Sequence, residues 1–331
     1  MNADGAYTGR TILITGGAGC IGSNLIKALL AHRPARILVV DDLSSASRWN
    51  VPAHPAVRFL QGSVLDDEVL RGAFAEKPEY VYHLAALFAN QNSVDHPEQD
   101  LLVNGLGTLK VLQFAHLSGV RRFIYASSGC SVYGSQAPLP LTEDYVSIDL
   151  DTPYQITKLL GELYGNFFFH YYELPVVRAR FFNVYGPGEI PGRYRNVIPN
   201  FLYWAMRKEP LPITGTGEET RDFTYVDDVV RGLLAAGTSE TAVGEAMNLA
   251  SGRETTVGSL ATLINELTGN PAGVRYVERR SWDKITRRRA SVEKAERLLG
   301  YRPAVEFETG LRRTWEWFTA HWDEISRDAR F

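Results

Sequence analysis

"TILITGGAGCIGS", residues 11–23, places Gly16, Gly19 and Gly22 directly after an apolar run of strand length and at the opening of an amphipathic stretch. Gly16 and Gly19 at this spacing permit a tight turn and close backbone approach to a pyrophosphate. Gly22 lets helix and strand pack, and the helix start offers unpaired N–H groups to the anion. Asp41 stands nineteen positions beyond Gly22, at the end of the next apolar run. A carboxylate there would accept hydrogen bonds from ribose hydroxyls and repel a 2′-phosphate, which favours NAD over NADP. Asp42 is either a second contact or a solvated neighbour. Cys20 and Ile21 open the helix at the cofactor turn, and the Cys20 thiol is expected to pack rather than react.

Working outward, apolar runs alternate with amphipathic stretches. Strand candidates fall at 10–16, 36–42, 57–63, 80–86, 122–127 and 175–186, and helix candidates near 21–31, 66–75, 100–118 and 153–172. This βαβ series predicts a doubly wound α/β fold, a parallel sheet with helices on both faces, whose ligands lie at the carboxyl ends of the strands. After "NVYGPGEIPGR" (183–193), rich in Gly and Pro, the regularity weakens and a smaller mixed lobe begins. "RDFTYVDDVV" (221–230) and "EAMNLAS" (245–251) again read as strand material, so the chain is expected to return. The predicted division is 1–182 with about 222–250 for the dinucleotide, and about 183–221 with 251–331 for the substrate.

Composition narrows the classes. Apolar residues at 45% and charged residues at 22% allow a sizeable core, and a net charge of −3 gives no electrostatic case for nucleic acid. No apolar stretch reaches the ~18 residues that a membrane span needs. Two cysteines, Cys20 and Cys130, cannot build a disulfide framework, and no Cys/His cluster has metal spacing. A soluble protein of a reducing cytoplasm, with no metal, is expected.

Two further stretches carry chemistry. Tyr154 and Lys158 stand four apart on the helix candidate 153–172 and so share a face. A free phenol, with a pKa of about 10, is a poor base at neutral pH. A neighbouring ammonium and a positive nicotinamide ring favour its phenolate, which then removes a hydroxyl proton while hydride leaves the same carbon. "SSGCSVYG" (127–134) crowds Ser127, Ser128, Cys130 and Ser131 at the end of a strand, on the functional edge of the sheet.

"TGGAGCIGS", "HLAAL", "SSGCSVYG", "TPYQITK", "RFFNVYGPG" and "TRDFTYVDDVV" occur in order across roughly residues 10–320. The set resembles the extended short-chain dehydrogenase/reductase superfamily, in its nucleotide-sugar epimerase/dehydratase group. The resemblance implies a Rossmann lobe holding NAD and a second lobe holding a nucleoside diphosphate sugar, with UDP the expected nucleotide. It adds Ser44, Ser63, Val64, Leu84, Ala85, Ala86, Asn104 and Phe181 to the cofactor contacts.

Counting back from "VYG", the superfamily's usual Ser or Thr, which hydrogen-bonds the reacting sugar oxygen, falls on Gly129. Ser128 is the first candidate to replace that hydroxyl, although strand residues alternate in direction and a local bend at Gly129 would be needed to bring it round. In the sugar 4,6-dehydratases the next two places carry Asp and Glu, the acid and base of water elimination. Here they are Cys130 and Ser131, so elimination is disfavoured and epimerisation at the sugar C4 is expected. The alternatives are a 4,6-dehydratase or another 4-keto-sugar enzyme, or a catalytically inactive NAD-binding sensor.

The resemblance also implies that Asn183, Asn196, Val197, Arg221, Arg280 and Asp283 meet the nucleotide, with Arg287 a further candidate. Phe88, Asn90, Gln91 and Ser93, after "HLAAL", border the sugar. His83 is expected to pack or cap at its strand end rather than titrate. The stretch 153–172 is apolar on nearly every side, which predicts a second buried face and a homodimer formed with the helix near 100–118.

Overall fold

The computed structural model describes residues 5–331. Six strands follow in chain order: β1 (Thr11–Thr15), β2 (Arg36–Asp41), β3 (Val57–Gln61), β4 (Tyr80–His83), β5 (Arg122–Ser128) and β6 (Val176–Phe181). The next four strands, all short, lie outside the main sheet: β7 (Asn183–Tyr185), β8 (Leu211–Thr214), β9 (Thr220–Arg221) and β10 (Phe223–Tyr225). The chain then returns as β11 (Ala246–Leu249), the seventh strand, giving the order β11-β6-β5-β4-β1-β2-β3 with every neighbour parallel.

Alternation along the strands sorts the core into two layers. Ile12 and Ile14 face the layer that holds Leu25, Ile26 and Leu29 of the helix Cys20–Leu30 and Val229 and Leu233 of the helix Val226–Thr238. Leu13, between them, faces Leu70, Val111, Leu112 and Phe168 from the helices Asp67–Phe74, Thr108–Leu117 and Pro153–Tyr172. Both faces are therefore dry, which explains why the strands read as continuous apolar runs. Strand order reverses between β1 and β4, so the loops leaving their carboxyl ends diverge and open a crevice.

Three expectations need correction. The helix near 100–118 is in pieces: Pro97–Asp100, a π-helical stretch Leu101–Gly107, then Thr108–Leu117. The run 175–186 breaks at Phe182, so β7 leaves the sheet and pairs with β10. Within 221–230, "VDDVV" opens the helix Val226–Thr238 instead of extending a strand; only Ala246–Leu249 rejoins the sheet.

The second lobe is built on β8 paired with β13 (Val274–Val277), and β9 paired with β12 (Thr255–Thr256), covered by short helices. Asp222, fully buried, ties it down by accepting hydrogen bonds from the backbone N–H groups of Ser251 (2.9 Å), Gly252 (3.0 Å) and Ala290 (3.1 Å). Among the described residues, no helix is long and apolar enough to cross a membrane.

Candidate active site

A cavity of about 710 Å³ lies between the carboxyl ends of the sheet and the second lobe. At one end is the glycine turn. Gly16 has φ +71°, and a Cβ there would fall 2.6 Å from the Ala85 backbone nitrogen. A Cβ on Gly22 would fall 2.5 Å from the Gly16 carbonyl oxygen. Only glycine lets the turn, the β4 loop and the helix start close this tightly, which leaves the helix N–H groups facing the cavity as a dinucleotide requires. Gly19, Cys20, Ile21, Ser63, Val64, Leu84, Ala85, Ala86 and Phe181 line the same end.

Asp41 accepts hydrogen bonds from the backbone N–H groups of Ala18 and Leu43, both at 2.9 Å, and each carboxylate oxygen keeps a lone pair for a ribose hydroxyl. Asp42 is exposed and accepts from the Ser44 N–H at 2.9 Å; both line the cavity. The Cys20 thiol packs against the Pro187 carbonyl oxygen at 3.4 Å, and burial pushes its pKa well up. Asn104, expected at the cofactor, does not line the cavity. Its amide instead accepts from the Leu87 N–H (2.8 Å) and donates to the Leu87 carbonyl (3.1 Å) and to Asp100 (2.7 Å), so it fixes the loop after β4. Asn104 is buried within the π-helical stretch Leu101–Gly107.

Tyr154 and Lys158 sit together on the first turns of the helix Pro153–Tyr172, which Pro153 and the cap Thr152 start. Lys158 Nζ donates to the Ala126 carbonyl at 2.8 Å and lies 5.6 Å from the Tyr154 ring centroid. Burial pulls the Lys158 pKa down to about 8, with Asp100 pulling the other way. Burial pushes Tyr154 well above the ordinary phenol range, and Asp100 and Cys130 add to that. The protein's own groups therefore favour the protonated phenol, and the expected phenolate calls on the nicotinamide ring as well as on Lys158. Ser93 was expected to border the sugar. It is fully buried and accepts from the Tyr154 backbone N–H at 3.0 Å, so it positions the helix start. Asn90 lines the cavity and accepts from Thr152 at 2.8 Å; Phe88 meets the Tyr154 ring edge-on at 5.9 Å. Gln91 accepts from the Trp282 indole N–H at 2.8 Å, linking the two lobes across the cavity. His83 bridges Thr15 (2.7 Å) and Thr108 (2.9 Å), and burial pulls its pKa down to about 3, so it is neutral and structural.

The octet divides its labour. Ser127 donates to Glu162, which forms a buried two-pronged ion pair with Arg180 at 2.8 Å. Ser128 lines the cavity, and Ser131, fully buried, donates to the Ser128 oxygen at 2.9 Å. That bond occupies a Ser128 lone pair and leaves the Ser128 proton free to be donated. Gly129 is not where a bend requires glycine, since its φ is outside the left-handed region. A Cβ there would fall 2.1 Å from the Phe182 ring, so the ring fills the space that a side chain at 129 would take. Cys130 Sγ donates to Asn183 at 3.4 Å, and burial raises its pKa.

At the far end, Arg221 lies 3.6 Å from Asp283, and the exposed Arg280 stacks 5.7 Å from the Trp282 ring. Both arginines line the cavity with Asp283, Asn183, Asn196 and Val197. Arg287 does not: it pairs with Glu254 at 2.6 Å on the surface. Its neighbour Arg288 is buried, lines the cavity and donates to the Cys130 carbonyl at 3.0 Å. The candidate Arg287 thus gives way at the cavity to its neighbour Arg288. Sequence reasoning also missed Phe182, Glu189 and Arg195, all lining the cavity.

The chain is similar to known proteins along most of its length. Residues 12–250 match the model of a family described as the NAD dependent epimerase/dehydratase family. A protein of Mycolicibacterium smegmatis named UDP-glucose 4-epimerase is 35% identical over 312 residues, 92% of this chain and 97% of its own length. The solved structure of the epimerase Mth375 from the methanogen Methanothermobacter thermautotrophicus is 58% identical, with a TM-score of 0.97 over 98% of this chain and 97% of that one. The Bordetella bronchiseptica enzyme WbmF, solved in complex with NAD+ and UDP, is 39% identical, with a TM-score of 0.86 over 98% and 96%.

Proposed function

This chain belongs to the NAD dependent epimerase/dehydratase family and is an NAD-dependent enzyme acting on a nucleotide sugar, and from that membership we propose that it is a UDP-sugar 4-epimerase. The observation that carries the reading is the pairing of Tyr154 and Lys158 beside a strand end that holds Cys130 and Ser131 but no acid and base for eliminating water. The carboxylates lining the cavity belong elsewhere: Asp41 ends β2 and Asp42 follows it, Glu189 faces the glycine turn, and Glu219 and Asp283 sit among the second-lobe arginines.

NAD, when bound, supplies the hydride acceptor and donor and a positive ring that lowers the phenol's pKa. Tyr154 takes the proton of the sugar C4 hydroxyl and returns it after the ketone has turned its other face. Lys158, anchored on the Ala126 carbonyl, holds a positive charge next to the phenol. Ser128, whose oxygen accepts from Ser131, donates its own proton to the reacting oxygen. Arg221 and Arg280 hold the diphosphate, a task suited to planar guanidinium groups.

Incubating the protein with UDP-, dTDP-, GDP- and CDP-hexoses and hexuronates and reading products by NMR tests this. A C4-inverted product is expected; a dehydrated 4-keto sugar would overturn it in favour of a dehydratase. Tyr154→Phe should abolish turnover while NAD stays bound, and full output from that variant would favour a sensor.

A homodimer fits one surface. Ile156, Leu163, Phe167 and Tyr171, spaced seven and four apart, are all exposed on one stripe of the helix Pro153–Tyr172, and Leu101, Leu102 and Leu106 of the adjoining segment are exposed too. A second copy presenting the same helices would cover this patch as a four-helix bundle.

A further inference from the structure

A dinucleotide's pyrophosphate carries two negative charges, and a helix N-terminus offsets roughly half of one. Of the cations lining the cavity, Lys158 belongs to the reacting end, and Arg221, Arg275, Arg280 and Arg288 come from the second lobe. Arg193 is engaged with Asp95 at 3.3 Å. Only Arg195 lies close enough to Cys20, at the glycine turn, and to Asp41 for its charge to act on both. Among the described residues its guanidinium shares no hydrogen bond, and the Glu189 carboxylate on the same segment is the charge that acts on it most strongly.

The segment that carries Arg195, residues 186–196, is strapped to the cofactor end on two sides. Asn24 donates to the Pro187 carbonyl at 2.7 Å, and Asn50 donates both to the Gly188 carbonyl (2.9 Å) and to the Ala18 carbonyl inside the glycine turn (3.1 Å). At the other side the Arg193 N–H donates to the Arg330 carbonyl at 2.7 Å, and the Arg330 guanidinium donates to the Ser44 carbonyl at 3.2 Å, next to the β2 loop. The strap also carries Glu189. One of its carboxylate oxygens accepts from Asn196 at 2.8 Å; the other is buried with no partner in the protein. Glu189 is only 6% exposed and lines the cavity. An unpartnered buried carboxylate oxygen, beside a cavity-lining guanidinium on the same strap at the dinucleotide turn, marks a place that a ligand's polar groups complete.

We propose that Arg195 is a second grip on the dinucleotide pyrophosphate, added to the glycine turn, so that the strap 186–196 retains NAD through the reaction cycle. The inference rests on the NAD-dependent reading above. A guanidinium fork reaches two phosphate oxygens at once, whereas an ammonium reaches as a point charge.

The test compares wild-type protein with Arg195→Ala and Arg195→Lys, each stripped of nucleotide and titrated calorimetrically with NAD, ADP-ribose, adenosine and UDP. Arg195→Ala should weaken NAD and ADP-ribose about tenfold or more, the loss expected of a charge-assisted hydrogen bond, and Arg195→Lys less. Adenosine and UDP should bind within about twofold of wild type, an outcome that a merely structural role would not produce. Should Arg195→Ala fail to fold, Arg195→Lys decides on the same readings. Unchanged NAD affinity, or a loss that falls on UDP instead, would overturn the proposal alone. Wild-type protein with no affinity for NAD would overturn the functional reading as well.

Discussion

Replacing Gly129 with serine restores the hydroxyl that the resemblance places there, and the structure says what this costs. The new Cβ would lie 2.1, 2.4 and 2.7 Å from three atoms of the Phe182 ring. Carbon atoms rest at roughly 3.5 Å, so the ring would have to move by more than an ångström. Its retreat is blocked on the packed side, where Phe182, 3% exposed, has Tyr133 at a ring-centroid distance of 6.3 Å and Val132, Leu141 and Ala290 in the same cluster, so it could move only into the cavity that it lines. Gly129→Ser should therefore destabilise the fold by about 3 kcal/mol, at the upper end of overpacking costs. Phe182→Ala alone should cost about 3–5 kcal/mol through the cavity it leaves. In the double variant the serine occupies part of that cavity, so the two losses should fall short of their sum by about 2 kcal/mol. Urea unfolding of the four NAD-free proteins measures this cycle. The same double variant should also tolerate Ser128→Ala better than wild type does, because a hydroxyl again stands at 129. Losses that add within about 0.5 kcal/mol would refute the claim that Gly129 and Phe182 fill one space.

Further outcomes follow from the same geometry. Ser128→Ala should lower kcat/KM roughly a hundredfold, the scale for one donor to a developing oxyanion, whereas Ser131→Ala, which only orients Ser128, should cost several-fold; the reverse order in steady-state kinetics would refute the relay. His83, with a pKa of about 3 in the fold against an ordinary 6.5, takes up its proton chiefly on unfolding. Its contribution is therefore constant above about pH 6.5 and erodes by up to ~1.4 kcal/mol per unit as pH falls toward 3. His83→Gln should flatten that slope relative to wild type in urea midpoints at pH 7 and 4.5, and parallel slopes would count against it. Leu163→Glu together with Phe167→Glu should leave a monomer in sedimentation experiments without loss of NAD binding, and a dimer that persists would remove the helix stripe from the interface.

What was legible in the sequence was what neighbouring residues encode. The glycine turn and Asp41 sit on one strand–helix–strand unit, so spacing alone placed them at the same end of the cavity. Tyr154 and Lys158 share a helix face by the period of the helix itself. The return of Ala246–Leu249 to the sheet was legible as an apolar run, whereas "VDDVV" has apolar residues that fit a strand until the helix Val226–Thr238 is seen to cover the sheet.

What the tertiary structure decided concerns residues far apart in the chain. Gly129 looked like a bend, and its reason is the Phe182 ring, which arrives from the end of β6. Three consecutive arginines looked alike, and packing against the Cys130 carbonyl turned Arg288 inward while Arg287 stayed with Glu254. Arg195 and Glu189 stood in a Gly- and Pro-rich stretch with no period to read, and only the strap's hydrogen bonds to Asn24, Asn50 and Arg330 brought them to the glycine turn. Periodicity records which side of its own element a residue takes, but the contacts between elements depend on how the whole chain fills its volume.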